Sequence, residues 1–363
     1  ASVAAADVTF SGYGRFGVKM TSTDLVKGTA AKAGTAYVDS TNETPAGFVT
    51  TTIGATIAAG SNNNTAAQQN ALLNAAITSE TAKIGTGLST SALATVNANI
   101  AAATAALTAI GTADEVADVA KKTTTDITNR MEINVAASFE ASNGITYGGK
   151  MRVRSDGGTA VFNAPQFSAK MGALAVVFGN NSGQMYKAAV GEYDVGLTGL
   201  GFASYVVGGF DEYSSYGAGS QGVDVNYSAA GFSAGVSHSK STKRTQAGVS
   251  YSVGALSLAA SMQDGKTKAE DMSVISAGYS FEGGSIGLGY GSNDKVKKTR
   301  LGGSFDVGAA TTLSAYVVDE NTAGVKNVYG VGVAHDLGGA TLKAGYVDNA
   351  TGSVADFGIV FNF

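Results

Sequence analysis

From about residue 128 to residue 363 the chain is written in short runs that alternate apolar with small or polar residues. Each run stops at a glycine, asparagine or aspartate. In the last run, Ser353–Phe363, one face carries Ala355, Phe357, Ile359, Phe361 and Phe363, and the other carries Asp356, Gly358 and Asn362. A period of two with unlike faces predicts a β-strand between two environments. The same pattern predicts strands near 340–349, 327–338, 310–320, 296–308, 285–294, 270–282, 256–265, 244–254, 232–241, 222–229, 174–180, 160–171, 145–155 and 128–141, with an isolated one at 7–20. The total is sixteen. An even count puts both ends of a closed sheet on the same side.

The connections sort into two kinds. Ser142-Asn143-Gly144, Glu282-Gly283-Gly284, Val307-Gly308-Ala309 and Leu337-Gly338-Gly339 are tight turns on one rim. The links 319–327 and 181–220 are longer and more polar and belong to the other. A soluble sandwich or barrel would turn its apolar faces inward. Here the opposite faces are too polar to fill a core, and sixteen strands enclose a lumen too wide for side chains to plug. The apolar faces therefore point outward into lipid. The fold class expected is all-β, a sixteen-stranded antiparallel transmembrane β-barrel. Phe10, Phe139, Tyr147, Tyr227, Tyr251, Phe281, Phe305 and Phe363 lie on apolar faces near the short-turn end. They predict one aromatic girdle at a membrane interface.

Composition agrees with this reading. Fifty glycines in 363 residues argue against an ordinary helical enzyme. Only 14% of residues are charged and the formal net charge is −4, so a nucleic-acid partner is not expected. There is no cysteine for disulfides, thiolate metal sites or nucleophilic catalysis. The two histidines, His238 and His335, fall on outward registers, which leaves no serine–histidine pair, and no enzyme is expected. Gly12-Tyr13-Gly14-Arg15-Phe16-Gly17 matches G-x-G-x-x-G, but strand alternation runs through it and no helix follows, so it does not read as a nucleotide site.

Three segments carry a family resemblance: Asp7–Gly17; Arg130–Val135 followed by Gly144–Arg154; and Val354–Phe363 with its terminal Phe. Across 7–20 and roughly 127–363 the chain resembles the general diffusion porins of the outer membrane, of the alphaproteobacterial type. The resemblance implies a homotrimer of sixteen-stranded barrels passing small hydrophilic solutes. It also implies a constricting third loop folded into each lumen. Outer-membrane lipid and lipopolysaccharide would be the surroundings.

Alternation assigns the wall. Charges on the lipid face at mid-depth cost about 2–4 kcal/mol each. Lys150, Arg152 and Arg154 must therefore face the channel, as must Arg130 with Glu132 and Asn134, and Arg15 with Lys19. Arg15, Arg130, Lys150, Arg152 and Arg154 thus form one basic patch on three adjacent strands. The link 181–220 holds Glu192, Asp194, Asp211 and Glu212. The resemblance places this loop inside the barrel, opposite the basic wall, where it would give a transverse field. Carboxylates also suggest calcium, with Asp211 and Glu212 as the weak candidate pair; no other cofactor is expected.

Residues 21–126 depart from the pattern. They lie between the first two strands, on the long-loop, extracellular side. Within 61–110 there are 15 alanines and two charges, Glu80 and Lys83. Leu93, Val96, Ile100, Ala103, Leu107 and Ile110 form a heptad seam, and Leu73, Ile77 and Ile84 hint at a preceding helix. Helices are predicted near 64–84, 89–110 and 113–125, with 28–60 irregular. Ala4-Ala-Ala6 fits a signal-peptidase site, which suggests an exported protein with periplasmic termini. The function expected is a water-filled channel for passive diffusion of ions and small hydrophilic solutes. The alternatives are a substrate-specific channel, or a surface adhesin or structural barrel whose lumen is occluded.

Overall fold

The computed structural model describes residues 7–24, 66–85, 87–112, 121–188, 193, 195–215 and 217–363. They fall into two compact units: the first holds residues up to Thr23 and from Lys122 onward, and the second lies in 24–121.

The first unit is a closed antiparallel sheet. Its strands are β1 Asp7–Thr23, β2 Lys122–Glu140, β3 Thr146–Ser155, β4 Val161–Phe162, β5 Gln166–Met171, β6 Leu174–Gly179, β7 Gly222–Ala229, β8 Phe232–Ser239, β9 Thr245–Val253, β10 Leu256–Asp264, β11 Met272–Phe281, β12 Gly284–Asn293, β13 Val296–Asp306, β14 Thr311–Glu320, β15 Val328–Asp336, β16 Ala340–Asn349 and β17 Gly352–Asn362. Each pairs with its neighbour in sequence, and β17 closes the ring on β1 from Tyr13↔Asn362 to Thr23↔Gly352. β4 and β5 both pair with β3, so they are one stave with a break, and the barrel has sixteen. The run expected to be continuous over 160–171 is cut at Asn163-Ala164-Pro165. Proline has no N–H for the ladder. Asn163 repairs the gap: its Oδ1 accepts from the Arg152 amide at 2.7 Å.

The first hairpin is longer than its alternation suggested, continuing through Thr21↔Thr124 and Ser22↔Thr123. Residues 122–125 are therefore strand and not the end of a third helix. Lys122-Thr-Thr-Thr125 is rich in β-branched residues that favour strand. The rest of that predicted helix, 113–120, lies outside the described residues, as do residues 28–60 and 1–6. The rims also differ in detail from expectation. The long-loop rim carries two tight links, at 294–295 and 350–351; Asp294 takes a left-handed φ of 50° there.

The two faces part cleanly. Outward positions are exposed: Phe10 is 71% exposed and Ile127 86%, while inward Arg15 is 8%. All eight girdle aromatics named above are exposed. Phe139 stacks on Tyr147 at 5.5 Å, and Phe281 lies 5.7 Å from Phe305. A second set, Phe178, Tyr290, Tyr329 and Tyr346, is exposed near the opposite ends of its strands. Two girdles bracket an apolar band, as a lipid-spanning barrel requires. The G-x-G-x-x-G string is plain strand, and the side of Gly12 and Gly14 where a Cβ would project is filled by the rings of Phe363 and Phe361 from the closing strand.

The second unit contains two helices, Ala66–Lys83 and Thr90–Thr112, joined through Gly85 and Gly87 at positive φ. Ser89 caps the second helix, its Oγ accepting from the Ala92 amide at 3.2 Å. The buried stripe is Leu73 and Glu80 on the first helix and Ala92, Val96 and Ala103 on the second. Val96 and Ala103 of the expected seam are buried, whereas Leu93 is exposed, as is Ile84, which lies just past the end of the first helix. Glu80 is buried with an ion pair to Lys83, and Asn99 donates to it at 3.4 Å.

Candidate functional site

The link between β6 and β7 enters the barrel and is fastened to the inner wall at several points. The outgoing limb forms a short helix, Gly183–Ala188. Gln246 on β9 clasps it, its Oε1 accepting from the amides of Gln184 at 2.6 Å and Met185 at 2.9 Å. The same side chain's Nε2 donates to the Asp211 carbonyl at 3.1 Å, so one residue holds both limbs of the loop. Met185, Val206, Val207 and Phe210 bury against Met272 and Val274 of β11.

Further along, the loop crosses to the seam where β17 meets β1. Asp356, buried on the inner face of β17, accepts from the Leu197 amide at 2.8 Å, the Thr198 amide at 2.6 Å and the Thr198 hydroxyl at 2.6 Å. Arg15 Nη1 donates to the Leu197 carbonyl at 2.9 Å, and the Tyr316 hydroxyl to the Leu200 carbonyl at 2.9 Å. Val195 packs with Tyr316, Val318 and Val347. The approach is close enough that a Cβ on Gly332 would lie 2.8 Å from Val195. Gly196 itself has φ 72°, a left-handed turn that points the Leu197 and Thr198 amides at Asp356.

The basic residues sit together on β1 to β3. Carboxylates stand among them. Glu132 lies 3.1 Å from Arg152, 3.7 Å from Arg130 and 3.8 Å from Arg154. Asp156 lies 2.5 Å from Arg130 and 2.6 Å from Arg154. Partial burial pushes the Asp156 carboxyl up, but the hydrogen bonds and charges of Arg154 and Arg130 outweigh it and hold it below the ordinary aspartate range. Five cations and two carboxylates leave this wall three positive charges in excess. Arg152 also donates to Asn134 at 2.8 Å and to Ser215 of the loop at 3.3 Å. Lys150 and Arg152 lie over the Tyr213 ring at 5.3 and 5.5 Å.

Of the four loop acids expected to face this wall, Glu192 and Asp194 lie outside the described residues. Asp211 turns to the β8–β9 rim, where it accepts from the Thr242 hydroxyl at 2.5 Å and lies 3.5 Å from Arg244. Glu212 has no ion pair among the described residues. Burial raises its carboxyl above the ordinary glutamate range, although part of the side chain still meets water. Among the described residues no cluster of three histidine, aspartate or glutamate side chains is gathered as a metal site. The loop's contacts with the basic wall run through Tyr213, Ser215 and the Leu197 carbonyl.

Asp356, Gln246, Tyr213 and Asp156 do this work and were not singled out from the sequence. A signal for the first was present. Glycines at inward register cluster on β12 to β17, at 287, 302, 330, 332, 345 and 358. A wall stripped of side chains over neighbouring strands marks where another segment lies against it.

A closed barrel, apolar outside, charged within and crossed by a tethered loop, defines a transmembrane channel wall. The comparisons agree. The sequence profile described as Gram-negative porin matches residues 89–357. The chain therefore belongs to the Gram-negative porin family, and it is an outer-membrane porin, a channel by family. It is 28% identical over 267 residues to a porin of Fuscovulum blasticum, covering 66% of this chain and 92% of that one. Solved mutants of Rhodopseudomonas blastica porin share the fold. One has a TM-score of 0.61 at 21% identity, and a triple mutant gives the same values; each match covers 98% of this chain and 100% of the other.

Proposed function

We propose that the chain is a passive sieve: ions and small hydrophilic solutes cross between the basic wall and the tethered loop, with no chemical step. The observation that supports this best is the fastening of Leu197 and Thr198 to Asp356 and Arg15, which sets the loop across the lumen beside an excess of positive charge. The excess positive charge of that wall, set close to the tethered loop, orients water and favours polar solutes over apolar ones. Nothing in this route calls for bond making, and among the described residues the outward histidines hydrogen-bond to threonines, His238 to Thr245 at 3.0 Å and His335 to Thr311 at 2.8 Å.

The barrel assembles as a homotrimer, its apolar band facing lipid and lipopolysaccharide. The barrel's two ends share the rim of tight turns, which supports a periplasmic placement of both. The test is single-channel recording of the purified protein in a planar bilayer under a salt gradient. Large conductance closing in three equal steps is expected. A folded barrel with no conductance would overturn the reading in favour of an occluded structural barrel.

A further inference from the structure

Beneath the loop, the inner wall of β8 to β13 is lined differently from the basic wall. Across the register, Ser233, Ser250, Ala259, Ser276 and Gly289 form one row that ends at Arg300. Nearer the tight turns, Ser252 bonds Ser257 at 3.0 Å and Ser285 bonds Ser304 at 2.9 Å. A recess of about 460 Å³ lies against Ser250, Ser252, Ser257, Ser276 and Ser285, with Lys187, Tyr193 and Arg300 at its loop end. Lys187 is already neutralised by Asp224.

Arg300 is not. It is 4% exposed, and among the described residues it has neither a carboxylate partner nor a hydrogen bond, its Nε being buried and unsatisfied. Its guanidinium lies under the Tyr193 ring at 5.8 Å, and Gly289 beside it leaves the space a Cβ would take. Among the described residues this guanidinium has no counter-charge, and an anion beside it would offset the cost of its burial. Its forked donors suit a carboxylate or phosphate, and the serine rows offer donors and acceptors to hydroxyl groups.

We infer that Arg300 and the serine rows form a subsite for small polyhydroxylated anions, a sugar acid or sugar phosphate held by its charged group at Arg300 and by its hydroxyls along the wall. The inference rests on the channel reading and adds a solute class to it. The site lies on the path, so occupancy is read as block of the ion current.

The experiment records potassium chloride current through the wild-type channel while potassium gluconate is added at constant ionic strength, with sorbitol and acetate as controls. Gluconate is expected to block saturably, sorbitol not at all and acetate weakly. Arg300→Gln is expected to raise the half-blocking concentration about tenfold, the loss of one charge-assisted hydrogen bond. Ser250→Ala with Ser276→Ala is expected to weaken gluconate block and leave acetate block unchanged. This second variant keeps the arginine and decides the matter even where Arg300→Gln does not fold. A non-saturating gluconate effect, or gluconate block in both variants equal to that of the wild type, would overturn the subsite and leave the channel intact. Absence of potassium chloride steps would overturn the channel and the subsite together.

Discussion

Replacing Asp356 by Ala should free the loop tip without harming the barrel. The carboxylate accepts three hydrogen bonds from Leu197 and Thr198, and two of the donors are backbone amides with no other partner at that turn. A bond to a charged group is worth about 1.5–3 kcal/mol, so the gross loss is roughly 4–9 kcal/mol. Lumen water can reach the freed amides and returns most of it, leaving a net loss of about 2–4 kcal/mol. Arg15 and Tyr316 still hold the carbonyls of Leu197 and Leu200, and Val195 stays packed, so the loop loosens and does not leave. A gap of about 3–4 kcal/mol keeps an undocked state below ~1%; removing 2–4 kcal/mol raises it to tens of per cent. Single-channel recording should then show flicker between the parent conductance and a higher one. Liposome swelling should admit larger neutral sugars. Asp356→Asn should behave almost as badly, because one of its two oxygens becomes a donor facing donors. A quiet Asp356→Ala channel with unchanged conductance and exclusion limit would refute the tether.

Further outcomes follow from the same geometry. Arg130→Gln, Arg152→Gln and Arg154→Gln together remove the wall's positive excess, and the zero-current potential should move toward cation preference; no movement would mean that the wall does not face the narrow passage. Glu212, with its carboxyl held above the ordinary range by burial, should lose its charge first as pH falls from neutral towards about 4. The zero-current potential should therefore move toward anion preference at a higher pH than an ordinary glutamate would allow, and Glu212→Gln should abolish that early step in a pH series of zero-current potentials. Leu73→Ala empties a fully buried position in the helical insertion, at a cost of about 2–5 kcal/mol. Limited proteolysis should then cut within 66–112 while channel conductance stays at the parent value.

The barrel wall was legible because a strand between lipid and water carries its environment in every second residue. Lys150, Arg152 and Arg154 could go only inward, and Phe10 and Tyr147 only outward, whatever their partners. The closure of β17 on β1 needed no more than an even count of strands. The failures have physical causes too. Alternation says nothing about a ladder's continuation into polar residues, so Thr21–Thr23 and Lys122–Ile127 were left out of the first hairpin. A heptad seam marks apolar spacing only, and so it did not show that Glu80 is buried with Lys83 while Leu93 is exposed.

The loop is the harder case, and it explains why wall and site differ in legibility. A loop inside a lumen has no repeating environment, because each residue meets a different strand of the wall. Charge alone placed Asp211 opposite the basic patch, but a carboxylate takes the nearest good donors, and these were Thr242 and Arg244 on the rim beside it. The positions that fix the loop are on the wall instead: Gln246, Asp356 and Arg15, each inward on its strand. Inward glycines over β12 to β17 show where the wall is thinned, and a carboxylate among them, Asp356, shows where it grips. Gly345→Val tests this directly. Its Cβ would enter the backbone at Val195 and Gly196, so the loop must shift, and the same flicker as in Asp356→Ala should appear while the outward face and the assembly of the barrel stay as they were. If Gly345→Val left conductance and noise untouched, the thinned wall would be a property of the strands and not a seat for the loop.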